Sequence, residues 1–184
     1  MPRKRGTPDL ATSACVRKNV FSMNASCHSL GVKISGIFIS SGHNFFGHHD
    51  GVPDKHPMIE VNEIECIAGE GLAGDRFCGF KKNYKGQVTF FSNEVFDDVC
   101  RKLGVNGKSP GVTRRNIVTR GVDLNSFVGK EFEIQGISFE GVSECSPCHW
   151  MNEAIAPGAE AALHGRGGLR ARVLTDGVLH VDVS

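Results

Sequence analysis

Glycine interrupts this chain so often that no long regular element survives between the breaks. There are 23 in 184 residues, and glycine is unfavourable inside helices but needed in turns and bulges, so strands and turns are expected over a helical bundle. The runs between the breaks are short and rich in β-branched and aromatic residues. They are VKISGIFI from Val32, IEVNEIECI from Ile59, QVTFF at 87–91, NIVT at 116–119, and EFEI and ISFEGV on either side of Gln135-Gly136. In IEVNEIECI the alternation is irregular, with Ile59, Val61 and Glu63 on one face and Ile64 and Cys66 on the other. Near the C-terminus ARVL and VLHV flank Asp176-Gly177, which predicts a two-residue hairpin. One helix is clear. Ser92 stands as its N-cap, Val95, Val99 and Leu103 follow at helical spacing, and Gly104 supplies the left-handed stop. A second short helix is expected at GAEAALH. The expected fold is mainly β, a largely antiparallel sheet closed into a β-barrel with a few short helices, because closure removes exposed strand edges.

The chain is 40% hydrophobic and 22% charged, which suits one globular domain, expected over residues 31–184. It has no apolar run of about 18 residues, so no membrane helix is expected. A formal net charge of +1 lacks the basic footprint of a nucleic-acid binder. Residues 1–30 carry Arg3, Lys4, Arg5, Arg17 and Lys18 against Asp9, and read as a basic disordered leader, with a targeting segment as the alternative. Seven cysteines, at 15, 27, 66, 78, 100, 145 and 148, are odd in number and irregularly spaced. A reducing compartment, the cytoplasm, follows as the expectation.

Two nucleotide motifs fail on inspection. GEGLAG at 69–74 matches G-x-G-x-x-G, but DRFCGFKKNYKG after it has no helical period. Gly107-Lys108-Ser109 resembles a P-loop end, yet Lys102 stands where its first glycine belongs. Cys145-Ser146-Pro147-Cys148 is the sharpest chemical feature. Two thiols at this spacing can bind zinc, exchange disulfides, leave one thiolate to act alone, or lie partly buried at a strand end. Arg114, Arg115, Asn116 and Arg120 gather guanidinium forks and an amide that suit a phosphorylated heterocycle, or form a solvated charged face. His164-Gly165-Arg166-Gly167-Gly168 allows close backbone approach to an anion. His43, His48, His49 and His56 read as solvated loop residues.

The ordered succession GLAGDR, QVTFF, TRRNIVTRGVDL, GKEFEI, the Pro-Cys of CSPC and HGRGGLRARVL resembles the MOSC domain family, related to the C-terminal domain of molybdenum cofactor sulfurases. The likeness spans roughly Val32 to Val183, departing at Val181-Asp182 where relatives often close with Gly-Asp. It implies a β-barrel, association with the pyranopterin molybdenum cofactor, and Cys148 as the catalytic cysteine and metal ligand, with Cys145 an extra thiol. It further implies that Arg115, Asn116, Arg120, Arg166 and Gly167 bind the cofactor, lining one pocket with Cys148. Two activities fit such a chain. One is reduction of N-hydroxylated small molecules with electrons from a partner reductase, since no flavin, haem or ferredoxin motif is visible. The other is a non-enzymatic sulfur or cofactor carrier that serves a molybdoenzyme acceptor.

Overall fold

The computed structural model describes residues 31–44 and 54–183; the expectations for residues 1–30, His48 and His49 lie outside them. In chain order the strands are β1 (Lys33–Ile39), β2 (Ile59–Val61), β3 (Glu63–Ile67), β4 (Gly71–Leu72), β5 (Val88–Ser92), β6 (Ile117–Arg120), β7 (Glu131–Ile134), β8 (Ile137–Glu144), β9 (Leu169–Val173) and β10 (Gly177–His180). The helices are α1 (Asn93–Lys102), α2 (Trp150–Ala154) and α3 (Ala159–Ala162), with 3-10 turns at Pro110–Thr113 and Leu124–Phe127.

A seven-stranded sheet runs β2-β1-β6-β5-β9-β8-β7, and a three-stranded sheet runs β10-β3-β4. All pairings are antiparallel except β5 with β6, which is parallel. The expected closed barrel is therefore corrected to two open sheets among the described residues. The small sheet does by covering what closure would do by pairing. Its Ile64, Cys66, Leu72 and Leu179 pack against Ile34, Ile37, Val88, Phe90, Phe139 and Leu169 of the large sheet. Backbone bonds knit the layers, Gly69 N–H to the Val173 carbonyl at 2.9 Å and Asp182 N–H to that of Ile34 at 2.9 Å.

This architecture explains the irregular IEVNEIECI run. The chain leaves the large sheet after β2 and enters the small one at β3, with Asn62 between them. It also overturns the Asp176-Gly177 hairpin. β9 pairs with β5 and β8, while β10 pairs with β3 in the other sheet. The Asp176 carboxylate instead accepts from Ala68 N–H at 2.7 Å, so the side chain ties the inter-sheet crossing. The genuine tight hairpin joins β7 and β8 at Gln135 (φ 52) and Gly136 (φ 79), both left-handed as a type I′ turn requires.

Helix α1 forms as its cap residues dictate. Ser92 Oγ accepts from Val95 N–H at 3.2 Å, and Gly104, at φ 67, closes a Schellman motif. In that motif Val105 N–H reaches the Cys100 carbonyl at 2.8 Å and Gly104 N–H that of Arg101 at 3.3 Å. Phe96 and Val99 of α1 join Phe91, Met151, Ile155, Ala159 and Leu163 in a second core, where the helices cover the other face of the large sheet. Gly141 on β8 lies where a Cβ would fall on the Phe127 carbonyl oxygen. Gly141→Ala is accordingly expected to cost about 1–3 kcal/mol, measured as a lower urea midpoint at unchanged slope; an unaltered midpoint would show that the Leu124–Phe127 turn moves aside freely.

Candidate functional site

The site begins with a backbone reversal. Arg114 ends the Pro110–Thr113 turn in the left-handed region, φ 60, and its neighbours reach opposite ways. The Arg114 guanidinium donates to the His56 carbonyl at 2.7 Å, Ser40 Oγ at 3.0 Å and the Gly42 carbonyl at 2.5 Å. The Arg115 guanidinium turns to the cysteine loop. It donates to the Cys145 carbonyl at 2.9 Å, the Thr113 carbonyl at 3.1 Å and the Gly167 carbonyl at 3.1 Å. A Cβ on Gly167 would stand 2.5 Å from the Cys145 carbonyl oxygen. Gly167 is thus a close-packing residue, and Arg115 staples the β8–α2 loop to the segment before β9.

Beside this staple is a buried carboxylate. Asp75 Oδ2 accepts from Ser40 N–H and Asn116 Nδ2, both at 3.1 Å, and from Arg76 Nη1 at 3.2 Å, while Oδ1 accepts from Phe77 N–H at 3.1 Å. Asn116 is itself buried, its Oδ1 taking Thr89 N–H at 3.1 Å and Thr89 Oγ at 2.8 Å. Its second Nδ2 donation, to the Phe38 carbonyl at 3.1 Å, leaves the amide fully engaged. Asn116 therefore positions Asp75 and offers no free edge to a ligand.

These groups wall a cavity of about 130 Å³ lined by Arg76, Arg114, Arg115, Arg170, His43 and Cys148, with Cys145, Thr89 and Trp150 also contributing. Cys148 is half-buried and Cys145 buried. Four guanidinium groups meet here with Asp75 as the adjacent carboxylate. Burial, then the charge of Arg76, pushes the Arg114 pKa down to about 10, still cationic at neutral pH. Burial also lowers that of Arg76. The Arg76 side chain is 7% exposed, and its Nε has no hydrogen-bond partner; Arg170 makes no side-chain hydrogen bond or ion pair among the described residues. A buried donor left unpaired costs roughly 1–3 kcal/mol, so such an orphan in a cavity wall marks where an acceptor belongs.

The structure brings Arg115 and Cys148 to one cavity, with Asn116 and Gly167 supporting it from behind. Arg120 and Arg166 are not brought there, which corrects the expectation of one pocket. Arg120 is exposed at the end of β6 and pairs with Asp97 at 3.4 Å. Arg166 pairs with Asp98 at 2.8 Å and lines a separate cavity beside the start of α1. Arg76, inside GLAGDR, reads from sequence as half of a charged pair with Asp75 closing a glycine-rich turn, and Arg170 only as following the glycine-rich run at 164–168; the structure sets both in the cavity wall, Arg170 through its alternation along β9. His43 was taken for a solvated loop residue. It stands edge-on to Phe77 at 4.8 Å, and burial followed by Arg76 and Arg114 lowers its pKa, so it is neutral at pH 7. No group of three or more His, Cys, Asp or Glu among the described residues could hold a metal ion, so zinc held by such a cluster finds no support there. No described helix is long and apolar enough to cross a membrane.

A mainly β, two-sheet domain with a cysteine loop stapled over an arginine-walled cavity is the class these observations define. The MOSC domain profile matches residues 68–184, and the chain belongs to the MOSC domain family. Among solved structures it is similar to the YuaD protein from Bacillus subtilis, with 17% identity, a TM-score of 0.63, and 82% of this chain and 91% of that chain covered. It is also similar to YiiM from Geobacillus stearothermophilus, with 14% identity, a TM-score of 0.58, and coverages of 81% and 71%. At these identities the likeness shows the fold. No curated protein matches the chain in sequence.

The staple has a measurable consequence. Arg115→Lys loses the three-way fork, and alkylation of the Cys145 and Cys148 thiols by iodoacetamide at pH 8 is expected to accelerate about tenfold as the loop opens. Cys66 provides the internal control, because burial pushes its thiol up to about 12. Peptide mass spectrometry reads both, and equal Cys148 rates in the two proteins would show that Arg115 does not hold the loop.

Proposed function

We propose that this chain binds the pyranopterin molybdenum cofactor, with the Cys148 thiolate as protein ligand to the metal, and reduces N-hydroxylated small molecules with electrons from a separate donor protein. The observation that carries this reading is the buried, unpartnered Arg76 Nε in the wall of the cavity that Cys148 also lines. The donor set fits the group. A thiolate is the soft ligand that molybdenum accepts, and clustered guanidinium groups favour an anionic, oxygen-rich guest over water. The residues that would hold it, Cys148 and the arginines, line one cavity of about 130 Å³.

The cofactor, when bound, supplies two-electron chemistry. The residues then have separate tasks. Cys148 anchors, Arg76 and Arg170 offer unspent donors, Arg115 keeps the cysteine loop in place, and neutral His43 can accept and pass a proton. The overall reaction balances as R–NHOH with two electrons and two protons giving R–NH₂ and water, the N–O bond breaking and its oxygen leaving as water. Five free cysteines among the described residues support a reducing compartment, which we take to be the cytoplasm.

Purification from a host that makes the cofactor, followed by molybdenum analysis and measurement of released oxidised pterin, tests the reading. Cys148→Ser is expected to lose the metal, since a hydroxyl is a harder and weaker donor. Cys145→Ser is expected to keep it, and Arg76→Gln to lower retention by about 10–100-fold. Retention in Cys148→Ser removes the assigned ligand, and equal loss in both cysteine variants favours a two-cysteine site. Bound cofactor without reduction of hydroxylamines by a chemical donor assigns the chain to sulfur or cofactor transfer instead.

A further inference from the structure

Next to the Cys148 cavity is a larger one of about 410 Å³, and Arg114 and Trp150 line both. Its character is different. Phe38, Met58 and Val112 make its walls apolar, and its polar groups are largely spent within the protein. The Arg114 Nη atoms are held by His56, Ser40 and Gly42, and Trp150 Nε1 donates to the Val112 carbonyl at 2.9 Å. The Phe38 ring is clamped where Cβ atoms on Gly36 and Gly111 would lie 2.8 and 2.7 Å from it, so this wall is rigid. Glu60, which also lines it, has no side-chain partner among the described residues and repels anions.

We infer that this cavity is a specificity subsite that takes the aromatic or branched apolar substituent of a neutral N-hydroxylated substrate whose polar end reaches the Cys148 cavity. The inference rests on the Cys148 cavity being the reactive site. It adds that the substrate carries a ring or comparable apolar group. A polar heterocycle rich in donors and acceptors finds its counterparts around Arg76 and Arg170, whereas the committed polar groups beside Phe38 leave such edges unsatisfied. A preformed, largely apolar wall, with the Arg114 guanidinium already committed to three acceptors and Glu60 opposite to it in charge, selects instead for a neutral apolar guest.

The test compares benzohydroxamic acid with acetohydroxamic acid, which share a head group and differ by a ring. Protein purified with its cofactor is titrated with each by calorimetry, and by emission of Trp150, the single tryptophan of the chain. Benzohydroxamic acid is expected to bind at least about tenfold tighter and to change the emission saturably. Met58→Lys, and independently Ala154→Phe, which fills the cavity from α2, are expected to bring its affinity down to that of acetohydroxamic acid. Acetohydroxamic acid binding and molybdenum content stay as in the parent, and a parental thermal midpoint confirms that each variant is folded. Equal affinities for the two probes in the parent overturn the subsite, as does undiminished benzohydroxamic acid binding in both variants. Ring-dependent binding that appears only after cofactor removal overturns it too, assigning the cavity to the cofactor. Ring-dependent binding by a protein that never contains molybdenum supports the subsite and defeats the cofactor reading alone.

Discussion

Everything around the candidate site depends on the buried carboxylate of Asp75. It receives the Ser40 amide from the end of β1, the Asn116 side chain from the start of β6, and the Phe77 amide and Arg76 guanidinium from its own turn. A charge taken out of water is tolerated only when its lone pairs are filled. Here the filling groups come from three separate parts of the chain, so satisfying Asp75 fixes those parts against one another. Asn116 passes the constraint on to Thr89 in β5. The arginines are held by this frame and by backbone carbonyls, which leaves their excess positive charge uncompensated within the protein.

How much of this was legible follows from the range of the interactions involved. Helix α1 was readable to its ends, because Ser92 and Gly104 act on backbone groups a few residues away. Sheet closure was not. Whether β7 meets β2, or a second sheet covers the large one, depends on pairings across the whole chain, and IEVNEIECI carried only an irregular alternation as the trace of its change of sheet. Asp176-Gly177 misled for the same reason. A turn signal assumes that its flanks pair with each other, and here the Asp176 carboxylate serves Ala68 in the turn after β3.

The site shows a similar division. Cys148 and Arg115 were legible as chemistry, and their meeting depends on Gly167 accepting contact that no side chain permits. Arg120 and Arg166 had the right chemistry and the wrong direction, since Asp97 and Asp98 on α1 draw them to the outer surface. His43 stood among loop histidines with nothing local to distinguish it. Its burial comes from Phe77, which only the Asp75 turn brings alongside.

The small sheet has a consequence for how the molecule assembles. β3 is flanked by β4, only a few residues ahead, and by β10, which is the last strand in chain order. Until β10 emerges during synthesis, one edge of β3 is an open template, and Ile64 and Cys66 lack the cover of Leu179. Contacts between such distant segments incur their loop-closure cost before they repay it, so they slow folding and lengthen the exposure of that edge. β3 is accordingly the segment where a nascent chain is most open to pairing with a second copy of itself, and its outward Glu63 and Glu65 put like charges on the edge at which such pairing would begin.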